Sequence, residues 1–177
     1  SHQLHHRAFR RAIRNFRYFF PMGSSARDSL VDVYGVPRDR CFVTLAPQDT
    51  ARWQPSERPL GHSPFRLLFV TNDFQRKRGS LLLECYSRFL AETCKLTIVS
   101  NDRAVGDIVL PQGTTWLRGK SKEELLEVYQ QSDLFVFPTR QDYMPQVVAE
   151  ALSTGLPVMT TPVGDIPDLV RHRENGW

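Results

Sequence analysis

Cysteine is scarce: Cys41, Cys85 and Cys94 are the three in 177 residues, and no two form a C-x-x-C pair. An odd count at that spacing argues against a disulfide framework and against a cysteine zinc site, and a reducing cytoplasm is the compartment it implies. No run of about 18 or more apolar residues occurs, so no segment reads as a membrane span, and the N-terminus lacks the apolar core of a signal peptide. An acidic D-x-D triplet, which could hold a metal, is also missing. Basic residues interleaved with aromatics do not recur beyond the first segment, so nucleic acid is not an implied partner. Internal repeats and low-complexity tracts are lacking too.

What is present suits a compact domain with some extra chain: 41% hydrophobic residues, 24% charged and a net charge of +4. The positive excess is local. Arg7, Arg10, Arg11, Arg14 and Arg17 cluster near the start, and the remainder is close to neutral. Both ends read as cut, because the chain starts without Met inside a helical pattern and stops at Asn175-Gly176-Trp177, where a turn would lead into more protein.

Leu4, Ala8, Phe9, Ala12, Ile13 and Phe16 recur at helical intervals with the arginines opposite, which predicts a basic amphipathic helix. Two readings apply to it: a helix packed into a preceding domain, which is preferred, or peripheral contact with an anionic membrane. His2, His5 and His6 lack the companions of a metal set. Pro21-Met22-Gly23 breaks the helix, and a second is expected from Ala26 to Tyr34, stopped by Gly35. Cys41 to Leu45 reads as a short β-rich run, and residues 48–63 as polar and aperiodic linker.

Regular alternation follows. Strands are expected at Arg66 to Thr71, Lys95 to Ser100, within Val109 to Leu117, at Asp133 to Phe137 and at Leu156 to Thr160. Helices are expected at Ser80 to Ala91, Lys122 to Gln131, Gln146 to Ser153 and Ile166 to His172. Near-continuous apolar strands between helices imply an α/β fold with a parallel sheet covered on both faces.

The most informative stretch runs from Phe137 to Leu152, followed by Gly155-Leu156-Pro157-Val158. It reads as a buried strand, a loop carrying Asp142, a helix opened by Pro145 and carrying Glu150, and a glycine-terminated return to the next strand. Ligands of open α/β sheets sit beyond the carboxyl ends of the strands, and a helix N-terminus attracts phosphate. Two carboxylates beside such a terminus suit a ligand with both hydroxyls and phosphates, as in a nucleotide-sugar.

These residues also resemble a known family. Leu125 through Thr139 is similar to the "lxxlYxxADxfvfPS" run of retaining glycosyltransferases of the glycogen-synthase and sucrose-synthase-like group (glycosyltransferase family 4-like). Asp142 and Glu150 match its signature of two acids separated by seven residues. Gly155-Leu156-Pro157-Val158, Val163 through Val170, and Glu174-Asn175-Gly176 match its later motifs in order. The resemblance implies a Rossmann-like sheet forming one half of a two-domain GT-B glycosyltransferase. Residues 1–47 would then end the N-terminal domain, 48–65 would be the linker, and 66–177 the C-terminal donor-binding domain.

The roles it implies are Lys77 on the donor diphosphate, Glu150 on the ribose hydroxyls and Asp142 approaching the donor sugar, the two acids forming the catalytic set. Asn72, Arg76, Tyr143, Met144, Pro145 and Gly119 complete the donor-binding set. Thr71-Asn72 stands where many members have Gly-Arg, so a second cationic phosphate contact is either missing or supplied by Arg76 or Arg78. Asp142 replaces a glutamate and is one methylene shorter, and Asp165 replaces a glycine. The implied reaction is transfer from a UDP-, GDP- or ADP-sugar to a saccharide or lipid-linked acceptor with retention of configuration. It needs no cofactor and no metal, and the isolated chain is expected to bind donor only. A non-catalytic nucleotide-sugar-binding module and a nucleotide-sugar epimerase are the alternatives.

Overall fold

The computed structural model describes residues 2–45, 47–57 and 63–177, with side chains from residue 7 onward. Expectations that touch residues 1, 46 and 58–62, including the middle of the linker, and the side chains of Leu4 and the three early histidines, lie outside the described part. The chain divides into two units, Ser1–Pro47 and Gln48–Trp177.

The first unit contains α1 (His2–Ile13) and α2 (Ser24–Asp28), the latter continuing as a wider turn over Ser29–Val33. Its small core consists of Ile13, Val36 and Cys41, with Phe19, Leu30, Val31 and Tyr34 packed on it. Gly35 turns the chain at φ +71°, as the stop after Tyr34 required. α1 ends at Ile13, before Phe16 and well short of the expected break at Pro21-Met22-Gly23, and Phe9 within it and Phe16 beyond it remain 44% and 58% exposed. No strand forms over Cys41 to Leu45. The segment pairs with residues 19–21 through a bridge between Phe19 and Cys41 and a bond from Thr44 N–H to Pro21 O at 2.9 Å.

The second unit is built on five parallel strands in the order β3-β2-β1-β4-β5. They are β1 (Phe65–Val70), β2 (Cys94–Val99), β3 (Thr114–Leu117), β4 (Leu134–Phe137) and β5 (Val158–Thr160). The helices are α3 (Gly79–Cys85, continuing over Tyr86–Leu90), α4 (Lys122–Gln130), α5 (Gln146–Ser153) and α6 (Ile166–Leu169). β1 buries Leu67, Leu68, Phe69 and Val70 in succession, so both of its faces are covered, the property its continuous apolar run implies.

Local chemistry sets the element boundaries. α4 starts with a capping box in which Ser121 Oγ accepts the Glu124 N–H and the Glu124 carboxylate accepts the Ser121 N–H. Asp133 fixes β4 beside β1, its carboxylate accepting from the Arg66 backbone N–H at 2.7 Å and pairing with the Arg66 guanidinium at 3.0 Å. α6 is shorter than the expected Ile166 to His172 because the chain leaves helical geometry at Val170 and then turns left-handed at Arg173. The Asn175-Gly176 turn lies along β5, where Val158 N–H donates to Asn175 O and Trp177 N–H to Val158 O.

The stretch that reads as linker differs most from its sequence impression. Residues 48–57 belong to the second unit, because Trp53 is 6% exposed in its core and packs edge-on against Tyr129 with ring centroids 5.6 Å apart. The Gln130 side-chain amide donates to Gln54 O at 2.9 Å and closes this segment onto α4. Among the described residues no helix is long and apolar enough to cross a membrane.

Candidate functional site

Strand order reverses between β1, whose chain moves off to β2 and β3, and β4, which continues to β5. At such a switch point the loops after the two central strands diverge and leave a crevice. A cavity of about 310 Å³ lies there, lined by Asn72, Asp73, Arg76 and Lys77 after β1 and by Asp142 and Met144 to Val147 after β4, with Phe137 among its walls.

The loop after β1 is a tight, internally bonded turn. Phe74 is fully buried as its anchor and donates its N–H to the Asp102 carboxylate at 2.7 Å. Gly79 N–H returns to Phe74 O, and a Cβ on Gly79 would overlap the Phe74 ring, so this position needs glycine. Arg78 is held left-handed at φ +56°. The result fixes Lys77, whose side chain is only 8% exposed, with its ammonium 5.0 Å from the Phe137 ring centroid and ion-paired to the Asp142 carboxylate.

Two further contacts join this loop to the one after β4: the Arg76 guanidinium donates to Gln141 O at 2.9 Å, and Arg140 N–H donates to Arg76 O at 3.0 Å. Arg76 also pairs with Asp73 at 2.7 Å. From the other side, Asp165 N–H donates to Tyr143 O, and Gly164, at φ +58°, packs so closely under Asp142 that a Cβ would strike its carbonyl oxygen. α5 then begins after Pro145, and its first residues, Gln146 and Val147, line the cavity together with Pro145. Val148 N–H turns back to Pro145 O at 3.1 Å, whereas the N–H groups of Gln146 and Val147 lie in the turn that has no acceptor within the helix.

Comparison with known proteins places this architecture. The family described as Glycosyl transferases group 1 matches residues 64–177. The chain belongs to that family. A D-inositol 3-phosphate glycosyltransferase of Nocardia farcinica is 25% identical over 170 residues, covering 83% of this chain and 38% of that protein. Sucrose-phosphate synthase of Thermosynechococcus elongatus superposes with a TM-score of 0.77 at 17% identity, over 99% of this chain and 48% of the other. HepE of Anabaena, solved in complex with UDP and glucose, gives a TM-score of 0.73 at 16% identity, over 99% of this chain and 52% of the other. The group 1 chain thus spans about half or less of each of these three proteins, and its sheet has the α/β fold of a GT-B half.

Of the residues singled out in this group 1 family sequence, the structure brings Asn72, Arg76, Lys77, Asp142, Met144 and Pro145 to one cavity. Tyr143 does not line it: the residue is 67% exposed, while its N–H donates to the Asp142 carboxylate at 2.9 Å. Gly119 is connected indirectly. Its N–H donates to the Asn101 side-chain oxygen at 2.8 Å, and Asn101 N–H donates to that of Asn72 at 3.2 Å, which links the loops after β3, β2 and β1. Asn101 was not singled out, yet Asn101-Asp102 follows an apolar strand in the same way as Asn72-Asp73, and that shared pattern marks it.

Glu150 is not among the residues lining the cavity. It lies four residues after Gln146 and three after Val147, which do line it, and therefore on the same side of α5. Its carboxylate accepts from the Tyr129 hydroxyl at 3.1 Å, and the same hydroxyl lies 3.2 Å from Val147 O. Burial raises the Glu150 pKa above the usual carboxylate range, while the Tyr129 hydrogen bond and the Lys122 charge pull it back. The Tyr129 hydroxyl is pushed well above its ordinary value, first by burial and then by the neighbouring Glu150 charge, and stays a neutral donor.

A carboxyl with a raised folded-state pKa contributes stability below its unfolded pKa and loses it as pH rises through the folded value. At about pH 7 the ionised Glu150 therefore opposes folding. Glu150→Gln is expected to melt higher than wild type near neutrality, with the gap closing toward about pH 4. Thermal melts across that range check this, and a gap independent of pH would contradict it.

Proposed function

We propose that the Gln48–Trp177 unit binds a nucleotide-sugar donor, and that the whole protein transfers the sugar to a saccharide or lipid-linked acceptor with retention of anomeric configuration. The observation that carries this reading is the convergence of Lys77 and Asp142, from loops after different strands, at the switch-point cavity where α5 begins. The fold shared with HepE, a protein solved with UDP and glucose, favours a donor of that class.

The chemistry follows from the charges. Breaking the sugar–diphosphate bond leaves the electron pair on the diphosphate and positive charge at the anomeric carbon. Stabilisation is needed mainly at the leaving group, from cations and amides already in position. Lys77 supplies the cation, and the first turn of α5 supplies N–H donors and the positive end of a helix dipole. Glu150 is the acid assigned to the ribose hydroxyls, which a carboxylate suits. Its sharing a side of α5 with the cavity-lining Gln146 and Val147, and its hydrogen bond from Tyr129, support that role. Retention is supported by the resemblance to retaining enzymes alone. An epimerase reading is disfavoured by the family, and a binding-only module would share every feature of this cavity.

Calorimetric titration of the chain with UDP, GDP and ADP tests the reading. One of the three is expected to bind, which identifies the base, and the corresponding sugar nucleotide is expected to bind at the same site. No heat from any of them would reject donor binding.

A further inference from the structure

Resting on that reading, the ammonium assigned to the diphosphate already has a partner. Lys77 is ion-paired with Asp142 inside the cavity, with side-chain exposures of 8% and 19%. An anion approaching Lys77 from the cavity would meet the carboxylate as a like charge at close range, where limited solvent screening makes repulsion strong. We propose that Asp142 is an internal competitor of the donor diphosphate: its carboxylate occupies the phosphate's place on Lys77, and binding of a nucleoside diphosphate displaces it.

The geometry allows such an exchange. One oxygen of the carboxylate engages Lys77, whereas the other accepts the Tyr143 N–H at 2.9 Å, so Asp142 keeps an anchor on its own loop when the ammonium is taken over. The loop itself is held from below by Gly164 and by the Asp165 N–H on Tyr143 O, which confines the exchange to the side chain. The Phe137 ring beside Lys77 keeps the ammonium in place for either partner. Asp142 thereby sets a threshold: an anion too weakly charged to outcompete a carboxylate fails to open the pair, and a diphosphate succeeds. Once released, the carboxylate is free to face the donor sugar.

Asp142→Asn tests this, because the amide oxygen still accepts the Tyr143 N–H while the competing charge is gone. In calorimetric titrations with whichever of UDP, GDP and ADP the wild type binds, written UDP below, the variant is expected to bind about tenfold more tightly than wild type, the scale of removing one close charge from a partly buried site. Before UDP is added it should melt lower than wild type, since Lys77 loses its counter-charge, and UDP should raise its melting temperature by the larger amount. Asp142→Ser is a second neutral variant, for use if the amide fails to fold, with the same gain expected. Asp142→Glu keeps the charge and should not gain. A wild type that binds UDP with neutral variants that bind equally or more weakly would overturn the inference and leave the donor reading intact. Binding of UDP, GDP or ADP by none of these proteins would overturn both.

Discussion

Lys77→Ala is expected to weaken UDP binding to this chain by at least about thirtyfold. Truncating one member of a buried, hydrogen-bonded charge pair costs about 2–5 kcal/mol, and 2 kcal/mol is about thirtyfold in affinity. No neighbour replaces it. Arg76, the other cation at the cavity, is already bound to Asp73 and to Gln141 O and ties the two loops together. Lys77→Arg should not restore binding, because a planar guanidinium does not fit the enclosed position beside Phe137 that a compact ammonium fills. The variant should remain folded, since the core anchor of this loop is Phe74 and the freed Asp142 carboxylate can reach water. Calorimetry with a thermal melt as control checks the expectation, and wild-type affinity in a folded Lys77→Ala would refute it.

The second large effect is expected at Gly164. Its φ of +58° lies in the left-handed region, where a residue with a Cβ pays about 1–2 kcal/mol. An added Cβ would also strike the Asp142 carbonyl oxygen, part of the backbone and unable to swing aside. Gly164→Ala should therefore lower stability by at least about 2 kcal/mol, seen as a fall of roughly 5–10 °C in melting temperature. It should also weaken UDP binding below that melting point, because relieving the clash moves the loop that carries Asp142, Met144 and Pro145. A displacement of about 1 Å at such a site is costly. A melting temperature within about 2 °C of wild type would show that the loop yields freely and that Gly164 does not position it.

The elements that could be read from the sequence were those whose signal is local. β1, β2 and β4 are apolar runs bounded by polar residues, and each lies within a residue or so of its expected position. α5 coincides with Gln146–Ser153, since Pro145 and the glycine after Thr154 delimit it. The role of Trp53 was hidden because residues 48–57 have no period of their own. Their order comes from packing on Tyr129 and from bonds between Gln130 and Gln54. The α1 pattern showed a helix without showing that Phe9 and Phe16 would stay exposed.

At the site, residue types and spacing were legible, whereas their pairing was not. Lys77 and Asp142 are 65 positions apart. Their meeting depends on the β1–β4 adjacency that topology creates, and no periodicity encodes it. For the same reason Tyr129, a recognisable motif residue, disclosed its bond to Glu150 only in three dimensions. The Asn72–Asn101–Gly119 relay likewise needs β1, β2 and β3 side by side.

The most direct test of the account is a crystal structure of this chain with bound UDP. The diphosphate is expected between the Lys77 ammonium and the first turn of α5, with the Asp142 carboxylate turned away from Lys77 and the ribose directed toward Glu150. A diphosphate bound elsewhere, with the Lys77–Asp142 pair intact, would contradict it.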